Sequence, residues 1–151
     1  MVFFRFILFF GLCLNIPSNI CQAEKKKIFL TTKFNEVNIR NGPGLNHLRI
    51  YKILKKGYPL RVLDEFENWR KIIDVNGVAG WVSNSQLSKK EYVIVKEIEE
   101  IIYKFPTKKS KRIAIIRKNF VVKVKKCGKS WCSIREGKIK GWIKKDSLWG
   151  H

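Results

Sequence analysis

With 151 residues, 29% of them charged and 45% apolar, the chain is long enough for one ordinary domain or two very small ones, and too apolar for a disordered tail. Lys and Arg number 32 against 12 Asp and Glu, a formal net charge of +20 with a sequence pI near 10.1. That balance works against basic partners and favours polyanions: nucleic acid, anionic lipid or acidic envelope polymers. Lysine is spread over both halves, so biased codon usage accounts for the charge equally well.

The chain begins MVFFRFILFFGLCLNIPSNICQAEKKK. Arg5 gives a positive start, and Phe6 to Ile16 forms an apolar run of the length of an export signal. A bilayer crossing needs roughly 20 residues. Pro17, Ser18 and Asn19 break the helix, and Ala23 offers a small residue before a cut at Glu24. Residues 1–23 are therefore expected to be a signal peptide, leaving a periplasmic or secreted protein with no transmembrane span. Lys25, Lys26 and Lys27 directly after the cut oppose translocation. Cys21 follows Ile20, where a lipoprotein signal places a small residue. Of the four cysteines, cleavage leaves Cys127 and Cys132.

Residues 34–88 read as short strands. RNGPG is an irregular loop, YPLRVL a strand, and Asn76-Gly77 between RKIID and AGWV a tight hairpin turn. Residues 89–97 read as a linker that adds a strand to one side or the other. Residues 98–150 repeat the first unit. NFVVKVKKCGKSWCSIR from Asn119 matches GYPLRVLDEFENWRKII from Gly57, aligning Trp131 with Trp69 and Ile134 with Ile72. One residue shorter, GWIKKDSLW from Gly141 matches GWVSNSQLS from Gly80. The front ends match more weakly, VNIRNGPG from Val37 against IIYKFPTK from Ile101. Val122 and Val124 alternate with lysines, as a half-buried strand does. The expected fold class is all-β: two small, strongly bent barrels of about five strands each.

The repeat sets Cys127 opposite Cys132 where the first unit has Glu65 and Arg70, each pair flanking four residues. A zinc site needs about four ligands, and His47 and His151 are the only histidines. A redox dithiol usually shows Cys-x-x-Cys. A cross-strand disulfide is expected, with two reduced thiols as the alternative. No enzyme, metal or cofactor is expected. No glycine-rich phosphate loop opens a helix, His47 stands beside no nucleophile, and Asp64, Glu65 and Glu67 sit at a solvated hairpin tip. Trp81 and Trp142, each following a glycine in a strand, are expected in the cores.

The motifs N-I-R-x-G-P-G (Asn38 to Gly44), NWRKI, GWV, the Cys-x4-Cys hairpin and GWI…LWG resemble the bacterial SH3-like (SH3b) domains, especially exported two-unit proteins of Gram-negative bacteria that lack a catalytic domain. The second unit departs from the family at YKFPTKKSK. The resemblance implies a ligand groove beside the first loop and hairpin tip, lined in the first unit by Asn41, Asn46, Tyr51, Tyr58 and Trp69. Aromatic faces with amides suit peptides and sugars. It implies a cell-envelope role with peptidoglycan or its stem peptides as partner, or a periplasmic protein as the alternative. Anionic envelope polymers fit the charge. Nucleic acid is expected only if the chain is not exported.

Overall fold

The computed structural model describes residues 27–151, so the expected signal peptide lies outside the described residues. In the first unit, β1 (Ile28–Thr32), β2 (Val37–Arg40), β3 (Arg49–Ile53), β4 (Pro59–Phe66), β5 (Trp69–Ile73), β6 (Ala79–Ser83) and β7 (Leu87–Ser88) form one antiparallel sheet in the order β3-β2-β6-β5-β4-β1-β7. In the second, β8 (Tyr92–Val95), β9 (Glu99–Tyr103), β10 (Arg112–Arg117), β11 (Val121–Cys127), β12 (Trp131–Glu136), β13 (Ile139–Lys144) and β14 (Leu148–Trp149) take the same order, strand for strand. The all-β expectation of two like units holds, with seven strands each rather than five. The added strands are short. β8 lies within residues 89–97 and pairs with β11 and β14 of the second sheet, as β1 pairs with β4 and β7 of the first. Among the described residues, no helix is long and apolar enough to cross a membrane.

Each sheet curls around its own core. Val37, Ile39, Leu60, Ile72 and Val82 fill the first; Val93, Ile102, Val122, Ile134 and Ile143 fill the second. Burying each of these side chains contributes about 1.5–3 kcal/mol. The strand alternation expected from Val122 and Val124 is present, since both point inward and Lys123 is exposed. Asp74 organises the expected Asn76-Gly77 turn: its Oδ1 accepts the N–H groups of Asn76 and Val78 at 2.9 and 2.8 Å.

Trp81 and Trp142 do not enter the cores. Their neighbours Gly80 and Val82, and Gly141 and Ile143, take the buried face, which leaves each indole half-buried on the outer face. The glycine is what the inward position requires. A Cβ at Gly80 would stand 2.4 Å from Ile39 Cγ2, and one at Gly141 2.4 Å from Ile102 Cγ2 and 2.7 Å from the Tyr103 carbonyl oxygen.

The units pack against each other. Phe29 of β1 meets Trp149 of β14 edge to face at 5.0 Å. Tyr92 of β8 lies on Gly57, where an added Cβ would approach its ring to 2.9 Å, and Gly150 lies on Pro59. Ile94 and Val121 are buried yet belong to neither core. Thr31 Oγ1 donates to the Lys90 carbonyl at 3.0 Å and so ties β1 to the connector.

Candidate functional site

The first loop uses its motif residues internally. Arg40 Nη1 donates to the carbonyls of Leu45 and His47 at 2.9 and 2.5 Å, and the Asn41 N–H donates to the Leu48 carbonyl at 3.0 Å. The His47 ring covers Gly42, where a Cβ would come within 2.4 Å of Nδ1. Asn41 and Asn46 are exposed on this clamped loop.

The second loop has the same backbone bonds despite its different sequence. Lys104 N–H donates to Lys111 O at 2.9 Å, Thr107 N–H to Phe105 O at 2.7 Å and Ser110 N–H to Thr107 O at 3.1 Å. The counterparts in the first loop are Asn41 to Leu48, Gly44 to Gly42 and His47 to Gly44. This equates Arg40 with Tyr103, which corrects the sequence match of Arg40 with Lys104 by one residue. Ile39 and Ile102 both lie inward beneath the Gly of GW. Along Ile101-Ile102-Tyr103 every residue is apolar, so the sequence does not reveal which one points in.

The five expected ligand residues separate into two groups. Tyr51 and Tyr58 pack against the first core and come together beside buried Asp74. Burial, then the Asp74 carboxylate, pushes the Tyr58 phenol up to about 12 and Tyr51 higher still. Asn41 and Asn46 lie on the loop, and Trp69 starts β5, paired with Ser83. In the second unit, the position of Trp69 is held by Trp131, whose ring meets Tyr103 edge to face at 5.6 Å.

The tyrosines carry a pH prediction. A phenol whose folded pKa exceeds its unfolded value of about 10 stabilises the fold fully below pH 10 and loses that contribution as pH rises to about 12. Ultraviolet difference absorbance should show Tyr51 and Tyr58 ionising only well above pH 10, together with loss of first-unit structure. Ionisation of these two tyrosines near pH 10 in an intact fold would contradict this environment.

A cleft of about 430 Å³ opens between the units. Phe29 and Tyr92 line it together with Lys27, Lys89, Lys90 and His151, the three lysines outnumbering the one carboxylate side chain there, Glu91. Burial, then Lys145 and Lys96, holds the His151 imidazole below its usual range against an opposing effect of Asp146, so the lysines supply the cleft's positive charge. The volume suits a small ligand, and clefts between domains are frequent ligand sites. None of the five expected residues lines it. Phe29, Lys89, Lys90, Tyr92 and His151 were missed because they flank the units in sequence. The Lys89-Lys90 pair at the joint was the available signal.

The bacterial SH3 domain family matches this chain twice, at residues 33–89 and 96–150. The chain belongs to that family. Its fold is similar to NlpC2 from Trichomonas vaginalis (17% identity, TM-score 0.38), over 84% of this chain and 49% of that one. It is similar to NlpC1 from the same organism at 16% and 0.37, over 82% and 45%. An NlpC/P60 family protein from Bacillus cereus matches at 14% and 0.36, over 81% and 56%. The chain thus spans about half the length of these structures. No curated protein matches it.

The two bacterial SH3 domains differ sharply in charge. Residues 98–150 hold 16 Lys and Arg against 4 Asp and Glu, whereas residues 34–88 hold 8 against 5. Basic residues occur in both domains, but their excess over acidic ones is concentrated in the second. The domains also differ at the hairpin. Glu65 faces Arg70 with Nε to Oε1 at 3.3 Å, as the repeat implied. In the second SH3 domain, Cys127 faces Cys132 and the two are disulfide-bonded, with Cα atoms 4.0 Å apart. Next to them, the Gly128 N–H donates to the Trp131 carbonyl. The cysteines thus occupy the kind of cross-strand pair in which backbones approach most closely.

Proposed function

We propose that this tandem bacterial SH3 protein is a non-catalytic binding module of the cell envelope, exported to the periplasm or beyond, that recognises peptidoglycan through its stem peptides. The observation that carries this reading is the cleft between the domains, with apolar walls at Phe29 and Tyr92 and lysines among its lining residues. Stem peptides present carboxylates on short aliphatic chains. Lysines attract the first and the walls accept the second. Asn41, Asn46 and Trp69 of the first domain provide a further polar and aromatic surface for the glycan.

The test is retention on purified peptidoglycan across a salt series. The processed protein should bind, and more weakly as salt rises. Lys89→Gln with Lys90→Gln should weaken binding by roughly tenfold, the combined effect of two partly exposed ion pairs. Trp69→Ala should weaken it without altering the salt dependence. No retention at low salt would refute the reading. That result would favour a periplasmic protein partner, for which edge strand β3 offers exposed Ile50, with Leu45 and Leu48 exposed on the loop before it.

A further inference from the structure

The outer face of the second sheet carries a row of like charges. Lys123 of β11 pairs with Arg135 of β12, and Arg135 pairs with Lys140 of β13. Residues paired across antiparallel strands share a face, so three exposed cations stand side by side on adjacent strands. Like charges in this relation destabilise a sheet. Nothing offsets them: the ion pairs among the described residues are Glu36–Lys52, Glu65–Arg70 and Glu99–Arg117, none on this face. Lys126 and Lys144 extend the same face through their pairings with Ser133 and Trp131.

The first domain shows that the fold does not require this arrangement. Its equivalent row is Arg61, Ile73 and Ala79, also paired in sequence across β4, β5 and β6. The same architecture therefore stands with one cation where the second domain has three.

We infer that the Lys123–Arg135–Lys140 row, with its flanking lysines and Trp142, is a binding face for an acidic polysaccharide bearing an anionic group on each sugar. Adjacent strands lie about 4.8 Å apart, close to the rise of one sugar residue in an extended glycan. A chain laid across β11, β12 and β13 meets one cation per residue. Trp142 is half-buried and pairs with Ser133 one step along, so its exposed edge borders the row and offers apolar contact to a sugar ring. Single-stranded nucleic acid fits less well, because base stacking needs free aromatic faces. Tyr103 is only 6% exposed and Trp131 is packed against it. Lys123 also pairs with Tyr92, a wall of the inter-domain cleft, so the row starts at the cleft's edge and runs away from it across β12 and β13. None of its three cations lines the cleft, and the assignment does not depend on the peptidoglycan reading.

The test uses the full processed chain and oligomers of polygalacturonate, with dextran as a neutral glycan and oligo-thymidylate as a nucleic acid. Arg135→Ile with Lys140→Ala copies the first domain's residues and removes two charges. Lys109→Gln with Lys118→Gln removes two exposed charges elsewhere in the same domain. The first variant should bind polygalacturonate roughly tenfold more weakly, with a shallower salt dependence, yet melt a few degrees higher because like-charge repulsion is relieved. The second should stay within about twofold of the parent, and dextran should not bind. Equal losses in the two variants would reduce the effect to net charge and overturn the assignment. So would no binding of polygalacturonate at low salt, or tighter binding of oligo-thymidylate through the same row. Because the row variant leaves Lys89 and Lys90 intact, its peptidoglycan retention separates failure here from failure of the cleft.

Discussion

Gly141→Ala is expected to destabilise the second SH3 domain by about 2–3 kcal/mol, the upper part of the range for overpacking a filled site. The new methyl would lie 2.4 Å from Ile102 Cγ2 and 2.7 Å from the Tyr103 carbonyl oxygen. A side chain can rotate away, but the carbonyl belongs to β9, which β13 contacts through the Trp142–Tyr103 pairing. Relief therefore requires the two strands to part. The same change at Gly80 meets the Arg40 carbonyl at a looser 3.0 Å and should cost less. Calorimetry of the two variants tests the order. For a domain of this size, each kcal/mol lowers the melting temperature by about 4–8 °C. A Gly141→Ala protein that melts with the parent would show that the strands give way without cost.

Replacing Cys127 and Cys132 together by serine is expected to cost about 2 kcal/mol, the chain-entropy estimate for so short a loop. The loss should fall on the second domain, where Cys132 is fully buried and belongs to the core cluster. Cys127→Glu with Cys132→Arg copies the first domain's pair, yet should recover only a small part. Arg70 keeps 17% of its side chain exposed and donates Nη1 to the carbonyls of Glu67 and Trp69 at 3.0 Å. An arginine at the wholly buried position 132 would need the same outlets, and an exposed ion pair contributes only about 0–1 kcal/mol. Chemical denaturation of the parent, the double serine variant and the swap measures both steps. Stability unchanged in the double serine variant, or restored fully by the swap, would contradict the account. Thiol labelling without reductant checks the bond itself: two reactive thiols in the native protein would remove its basis.

The second half of each unit was legible where the chain changes chemistry from residue to residue. The match of Trp69 with Trp131 and of Glu65/Arg70 with Cys127/Cys132 needed only the offset, because the hairpin keeps its length. Within this half one residue is deleted, in the next connection, where residues 74–78 link β5 to β6. Another is deleted earlier, between β3 and β4, since Ile53 answers to Ile116 but Gly57 to Asn119. The first half was less legible. Along Ile101-Ile102-Tyr103 apolar residues run together, and a one-residue slip there exchanges the two faces of the sheet. That slip hid the equivalence of Arg40 and Tyr103, and with it the common geometry of two loops whose sequences differ.

The sequence alone determined the class of fold, the existence of two like units, the placing of Cys127 opposite Cys132 and the Asn76-Gly77 turn. Each of these rests on local alternation, turn chemistry or a repeat, which the chain states in order. The tertiary structure alone decided which face each tryptophan takes, that Tyr51 and Tyr58 turn inward to Asp74, and that Phe29, Lys90 and Tyr92 meet in one cleft. It also decided that Lys123, Arg135 and Lys140 form a row. These groupings join residues of different strands, and only strand register brings them onto one surface. Spacing within a strand fixes which residues share a face. It does not fix which strands become neighbours, because that follows from how the whole sheet closes over its core.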